Sequence, residues 1–156
     1  MSQQTNRDSG NYIIQDINYT EVEGSIAPPP SHLTSEFKTI EQWLQHICAN
    51  DEPQKIINQY QVSLFESPDD YTLALFGVNK YDESKNSSIK RIDFEPSNMY
   101  FKLPKSYFKN LNKKQLLEKL TAQLKDFSKT EKFKKSFFTK ANKIIFETNG
   151  ETVWSK

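Results

Sequence analysis

The sequence predicts an α+β fold: an antiparallel sheet of about five or six strands, two main helices packed on it and a C-terminal β-hairpin. Two stretches carry apolar residues at helical spacing. Between them, apolar residues alternate with a period of two. Near the C-terminus, Asn149-Gly150 separates two runs that contain apolar residues. Because strands and helices are segregated along the chain, the α+β class is favoured.

The 156 residues fit one domain, residues 39–156, preceded by an arm, residues 1–38. The arm is polar and ends in Pro28-Pro29-Pro30, a triplet typical of a semi-rigid spacer. Apolar residues around Ile13 and Ile17 are compatible with an added strand, a docked arm or a mobile one. Only 35% of residues are apolar, but 11 Phe, 7 Tyr and 2 Trp supply enough area for a core.

Helical spacing predicts a first helix over residues 39–49, with Thr39 and Gln42 as a capping box. Pro53 is a candidate start for a short second helix. Strands are expected at residues 60–64, 71–78, 92–94 and 99–103. Residues 66–70 have turn chemistry, and residues 80–87 form a polar loop. The stretch 71–78 is apolar on both parities, which predicts a strand buried on both faces.

The second main helix spans residues 112–127 and is capped by Asn112. Ser128 and Glu131 form the capping-box pattern of a shorter helix. Asn149-Gly150 predicts a type I′ hairpin turn, in which both residues have positive φ.

Charge is unevenly distributed along the chain. Residues 1–101 contain 7 basic and 15 acidic residues, a net charge of −8. Residues 102–143 contain 13 Lys and 3 acidic residues, a net charge of +10. The last 13 residues contribute −1, so the total is +1. Such asymmetry bears on partners and association rates.

Catalytic chemistry is poorly represented. Cys48 lies on the apolar stripe of the first helix, as a core thiol would. His32 and His46 do not belong to a nucleophile–base motif. One cysteine is too few for a typical zinc site, and the four glycines are too dispersed for a phosphate loop. No cofactor, no metal and no enzymatic activity are therefore expected; an unrecognised small enzyme with a deep pocket is the alternative.

Protein binding fits best, because a binding protein needs only a surface. The predicted partner-binding residues are acidic and lie in loops: Glu66, Asp69, Asp70, Asp82 and Glu83. The alternative is nucleic-acid binding by the lysine-rich segment. Its candidate residues are Lys109, Lys113, Lys114, Lys125, Lys132 and Lys135. That segment contains no arginine, and the whole chain is nearly neutral, so nucleic acid is the less favoured partner.

The N-terminus lacks a signal-peptide pattern, and no apolar run approaches the roughly 20 residues of a membrane span. A cytoplasmic location without membrane association is therefore expected.

Residues 137–156, FFTKANKIIFETNGETVWSK, and residues 65–71, FESPDDY, resemble in general style the small immunity proteins that bacteria encode beside polymorphic, contact-delivered or secreted toxins. Size, α+β content, segregated charge and the lack of catalytic motifs fit that group. The resemblance implies tight binding to one cognate toxin, often a nuclease, whose active site is blocked or distorted. The segments contain no diagnostic motif, so the resemblance assigns no functional residue.

Overall fold

The structure is a computed structural model that describes residues 22–23, 26–34, 36–80 and 90–156. The strands are β1 (Val22–Glu23), β2 (Gln59–Glu66), β3 (Tyr71–Lys80), β4 (Lys90–Phe94), β5 (Tyr100–Lys102), β6 (Lys143–Phe146) and β7 (Glu151–Ser155). The α-helices are α1 (Ile40–Asn50), α2 (Lys113–Phe127) and α3 (Glu131–Lys134). The predicted α+β class and the C-terminal hairpin are confirmed.

The strands form one sheet in the order β1-β4-β3-β2-β6-β7, and β5 also pairs with β3. Four of the strand pairs are antiparallel, but β1 pairs with β4 and β6 pairs with β2 in parallel. The prediction of an antiparallel sheet is therefore only partly right. Helices α2 and α3 lie in sequence between the first five strands and β6, and a long connection of this kind allows parallel pairing.

Strand β3 is buried on both faces, as its sequence predicts. Leu73 and Leu75 belong to the core that includes α1 and α2, while Ala74 and Phe76 are buried on the opposite face. Helix α1 is fixed by Trp43, whose ring stacks on Phe101 with centroids 5.5 Å apart. The Trp43 indole also donates a 2.7 Å hydrogen bond to the Asn98 carbonyl.

The helix caps follow the sequence in part. The capping box predicted for Thr39 and Gln42 is only half formed, because the Gln42 side chain accepts from the Lys38 N–H at 2.9 Å and not from the Thr39 N–H. The Thr39 hydroxyl accepts from the Gln42 N–H at 3.0 Å, and Asn112 forms a complete capping box with Gln115. The cap predicted at Ser128 is wrong. Thr130 is the N-cap of α3, and its hydroxyl accepts from the Phe133 N–H at 3.2 Å.

Two local predictions fail. Residues 51–58 are irregular, so Pro53 begins no helix. In the C-terminal hairpin Gly150 has a φ of 75°, but Asn149 does not adopt positive φ, so the turn is not type I′. The loop instead has four residues, 147–150, and the Gly150 N–H donates to the Phe146 carbonyl at 2.9 Å. The predicted strand around Ile13 and most of the polar loop at 80–87 lie outside the described residues.

Candidate functional site

The acidic turn that joins β2 to β3 holds three of the five predicted partner-binding residues. The Ser67 N–H donates to the Asp70 carbonyl at 2.9 Å, and the Asp70 N–H donates to the Ser67 hydroxyl at 3.2 Å. These bonds close the turn tightly. Asp82 and Glu83, the other two predicted residues, lie outside the described residues. We call residues 66–70 the acidic tip.

Two of the three carboxylates in the acidic tip are already paired with lysines. Lys113 Nζ lies 3.1 Å from Glu66 Oε1, and Lys102 Nζ lies 3.5 Å from Asp70 Oδ2. Asp69 is exposed and has no ion-pair partner among the residues that the structure describes. The tip is therefore less negative than its sequence indicates, and within the described residues Asp69 is its unpaired charge.

Glu66 also compensates an unfavourable feature of α2. The first turn of this helix contains Lys113 and Lys114 and no acidic residue. Positive side chains are disfavoured at a helix N-terminus, where the helix dipole is itself positive. The Glu66 carboxylate, which belongs to the tip, pairs with Lys113 and so offsets one of the two positive charges in this turn.

Half-buried aromatic pairs flank the acidic tip. On the sheet face that carries Leu73, the rings of Tyr71 and Phe108 are 5.1 Å apart. On the other face, the rings of Phe65 and Tyr100 are 6.5 Å apart. Aromatic residues are enriched in protein–protein interfaces, and a polar rim surrounds them. The rings supply candidate anchors, and the carboxylates belong to such a rim.

The segment 26–34 lies beside the Tyr100 side of the tip. The Tyr100 hydroxyl donates a hydrogen bond to the Ala27 carbonyl. Lys102 Nζ donates to the Leu33 carbonyl at 3.3 Å in addition to pairing with Asp70. The end of the proline-rich arm is thus attached next to the acidic tip.

Of the six lysines predicted to bind nucleic acid, two form ion pairs and four have none among the described residues. Lys113 pairs with Glu66, and Lys125 pairs with Glu151 at 3.2 Å. The other four are exposed and have no ion-pair partner in the described part of the chain: Lys109, Lys114, Lys132 and Lys135. They are distributed over the turn before α2, α2 itself, α3 and the residue that follows α3.

Sequence reasoning missed a pocket at the opposite end of β2. Its volume is about 220 Å³. The lining residues are Glu52, Pro53, Gln54, Lys55, Ile56, Ile57, Tyr60, Phe137 and Lys140. Glu52 and Lys140 form a 3.5 Å ion pair, and the Ile56 side chain is 74% exposed. The irregular backbone that builds this pocket has no sequence signature.

Two titratable groups close to this pocket stay protonated at neutral pH. Burial, and next the negative charge of Glu52, raise the pKa of the Tyr60 hydroxyl. Burial also raises the pKa of the Cys48 thiol, although a hydrogen bond with Ser136 and the charge of Lys132 oppose the shift. A protonated thiol is a poor nucleophile. Cys48 is therefore suited to packing, as its place on the helix stripe indicates.

His46 contacts amides instead of a carboxylate that would orient it as a base. Its Nε2 lies 3.0 Å from the Asn98 amide and its Nδ1 lies 3.3 Å from the Asn50 amide. The Phe37 ring packs 5.2 Å away. Within the described ranges, no three His, Cys, Asp or Glu side chains gather in a way that would hold a metal ion.

No protein-family model, curated protein or solved structure matches the chain. Among the described residues, no helix is both long enough and apolar enough to cross a membrane.

Proposed function

We propose that this protein binds and neutralises a cognate bacterial toxin by covering the toxin's active site, as the immunity proteins it resembles do. The observation that carries the proposal is the acidic tip. Its free carboxylate, Asp69, stands on a turn closed by hydrogen bonds and flanked by half-buried aromatic pairs. A preorganised surface of this kind loses little conformational entropy when a partner binds.

The ion pairs assign different roles to the three carboxylates. A basic partner must compete with Lys113 for Glu66 and with Lys102 for Asp70. Asp69 needs no such exchange, so we expect it to dominate electrostatic attraction of the partner. Charges at the rim of an interface act mainly on the association rate and on its salt dependence.

The test uses the product of the neighbouring gene as the candidate toxin. Co-purification of the two proteins and protection of toxin-expressing cells would establish the function. Asp69→Lys is then compared with Glu118→Lys, which makes the same charge change on the exposed side of α2. At low salt, Asp69→Lys is expected to slow association about tenfold or more, while Glu118→Lys changes it little.

The outcomes test separately whether the protein binds this toxin and whether the acidic tip belongs to the interface. Failure of the neighbouring product to bind would refute the toxin partnership for that product. Binding that responds equally to Asp69→Lys and Glu118→Lys would retain the function and remove the acidic tip from the interface.

Nucleic-acid binding is the second candidate, because Lys109, Lys114, Lys132 and Lys135 are exposed and unpaired within the described residues. A gel-retardation assay on duplex DNA at about 0.05 and 0.2 M salt tests it, since phosphate contacts weaken steeply over that range. Retardation that disappears at the higher salt, and also when the four lysines are replaced by glutamine, would favour this function. Absence of retardation at the lower salt would reject it.

A further inference from the structure

The sheet is buried on the face opposite the helices, which we call the second face. The buried apolar residues of α1, α2 and α3 all belong to the core that contains Leu73 and Leu75, on the first face. Side chains alternate between the faces along each strand, and residues paired across strands share a face. Six residues of the second face are at most 8% exposed: Gln59, Gln61, Thr72, Ala74, Phe76 and Val78.

The apolar part of the second face needs a cover. Ala74, Phe76 and Val78 are buried but lie outside the main hydrophobic core. A phenylalanine on an open sheet face would expose one side of its ring, whereas Phe76 is only 6% exposed. Because the helices pack on the first face, a different part of the molecule covers the second.

The second face also contains an unpaired polar group. Gln59 is 8% exposed, and its Nε2 atom is fully enclosed without a hydrogen-bond partner among the described residues. Buried amide donors in folded proteins are nearly always hydrogen-bonded. The segment that covers this face is therefore expected to bring an acceptor to Gln59, and an extended chain offers its backbone carbonyls.

The end of the arm that the structure describes already lies on this face. Strand β5 pairs with β3 so that Tyr100 and Lys102 share the face of Ala74. The Tyr100 hydroxyl donates to the Ala27 carbonyl, and Lys102 Nζ donates to the Leu33 carbonyl at 3.3 Å. The arm is therefore attached to the β5 side of the second face.

The earlier part of the arm leads to the same place. Strand β1 begins at Val22 and pairs with β4, which is next to β3 in the sheet. Since neighbouring strands are about 4.8 Å apart, Val22 is about 10 Å from β3. An extended chain gains about 3.3 Å per residue, so Ile13 and Ile17 are within reach of Phe76 and Val78.

We propose that residues 11–21, which lie outside the described residues, dock on the second face of the sheet and cover it. The isoleucines of this segment pack against Phe76 and Val78, and one of its backbone carbonyls accepts from Gln59 Nε2. The arm thus keeps an apolar surface from contact with other chains. This interaction does not depend on the acidic tip or on the toxin partnership.

The test uses the full-length protein with labelled isoleucine and valine methyl groups. Nuclear Overhauser effects are expected between the methyl groups of Val78 and those of Ile13 or Ile17. In a sample that mixes differently labelled chains, no such effect is expected between one chain and another, because the arm docks on its own sheet.

A pair of matched variants tests the cover itself. Ile17→Asp brings a charge into the docked segment and is expected to release it, since burial of an unpaired charge is costly. A soluble gadolinium chelate should then relax the Val78 methyl groups severalfold faster than in the wild type, where Val78 is 1% exposed. Ile56→Asp makes the same change at a side chain that is 74% exposed, and it should leave the relaxation of Val78 unchanged.

Three results would overturn the proposal. The first is the absence of methyl contacts between Val78 and either Ile13 or Ile17. The second is the appearance of these contacts only between different chains, which would make a second copy the cover. The third is a protected Val78 in Ile17→Asp together with an exposed Val78 in Tyr100→Phe, which would leave residues 26–34 as the whole cover.

Discussion

The two ends of β2 are stabilised in different ways. At the C-terminal end, the acidic tip is an exposed turn whose Glu66 and Asp70 are held by lysines on the surface. At the N-terminal end, about 23 Å away along an eight-residue strand, Tyr60 is enclosed by aromatic rings, with the Phe138 ring 4.8 Å from its own. Charge pairing organises one end and close packing organises the other.

This difference shows that a charge pattern in a sequence is an incomplete guide to a surface. The acidic half and the basic half of the chain meet at the tip, where Lys113 and Lys102 neutralise two of its three carboxylates. The pocket end, whose sequence offers no motif, contains Tyr60, a residue that is 1% exposed and whose hydroxyl forms no hydrogen bond with the described residues.

The largest expected effect concerns packing at the pocket end. A Cβ added at Gly77 would lie 2.7 Å from Ile57 Cγ2 and 3.2 Å from Phe94 Cβ. Gly77→Ala is therefore expected to lower the free energy of unfolding by about 1–3 kcal/mol, measured by urea denaturation. Gly150→Ala is the contrasting variant, because nothing lies within 4 Å there and its cost comes from a φ of 75°. Replacing Ile57 by alanine should reduce the cost of Gly77→Ala and leave that of Gly150→Ala unchanged.

The second prediction concerns the pH dependence of the pocket end. Because the folded protein raises the pKa of Tyr60 above that of an unfolded tyrosine, the unfolded state loses its proton first. The wild type should thus lose stability as pH rises above about 10, by at most about 1.4 kcal/mol per pH unit from this group. Urea denaturation between about pH 9 and 11 measures this slope.

Tyr60→Phe should reduce the loss of folding stability at high pH. Burial also raises the pKa of Tyr100 and Tyr107, but both remain in the variant, so their contributions cancel in the comparison. Identical pH slopes for the wild type and Tyr60→Phe would contradict the predicted role of Tyr60.

The smallest effect is expected at the acidic tip. Glu66 and Lys113 are both about half exposed, so a double-mutant cycle with Glu66→Gln and Lys113→Met should give a coupling of about 0.2–1 kcal/mol. About 1 M salt should remove most of it. Asp69→Asn, which breaks no ion pair among the described residues, should change stability by less than about 0.5 kcal/mol. A coupling that persists in high salt would mean that the tip is held by more than surface charge.

Much of the fold was predictable from local signals. The stripe of Ile40, Trp43 and Ile47, the Asn112 cap and the two-sided apolar pattern of β3 all gave the correct element. Pro53 and Ser128 led to wrong predictions. Proline and serine are both common at helix starts, but no helix starts at either of these residues. Asn149-Gly150 predicted the hairpin correctly and its turn type wrongly, since the four-residue loop needs positive φ only at Gly150.

The candidate sites were less predictable than the fold. The sequence identified Glu66, Asp69 and Asp70 as turn carboxylates. It did not show that Glu66 and Asp70 form ion pairs while Asp69 forms none with the described residues, because the partners are Lys102 and Lys113. These lysines lie more than 30 positions away along the chain. The pocket likewise brings residues 52–60 next to Phe137 and Lys140.

The sequence by itself determined the apolar periodicities, the caps and the opposite charges of its two main segments, because those depend on residues close along the chain. The tertiary structure decided that β6 pairs with β2 in parallel, that the acidic tip is mostly neutralised and that Tyr60 is enclosed with no hydrogen bond from its hydroxyl to the described residues. Pairing, neutralisation and burial depend on which distant residues become neighbours. That arrangement is set when the helices and the sheet pack together.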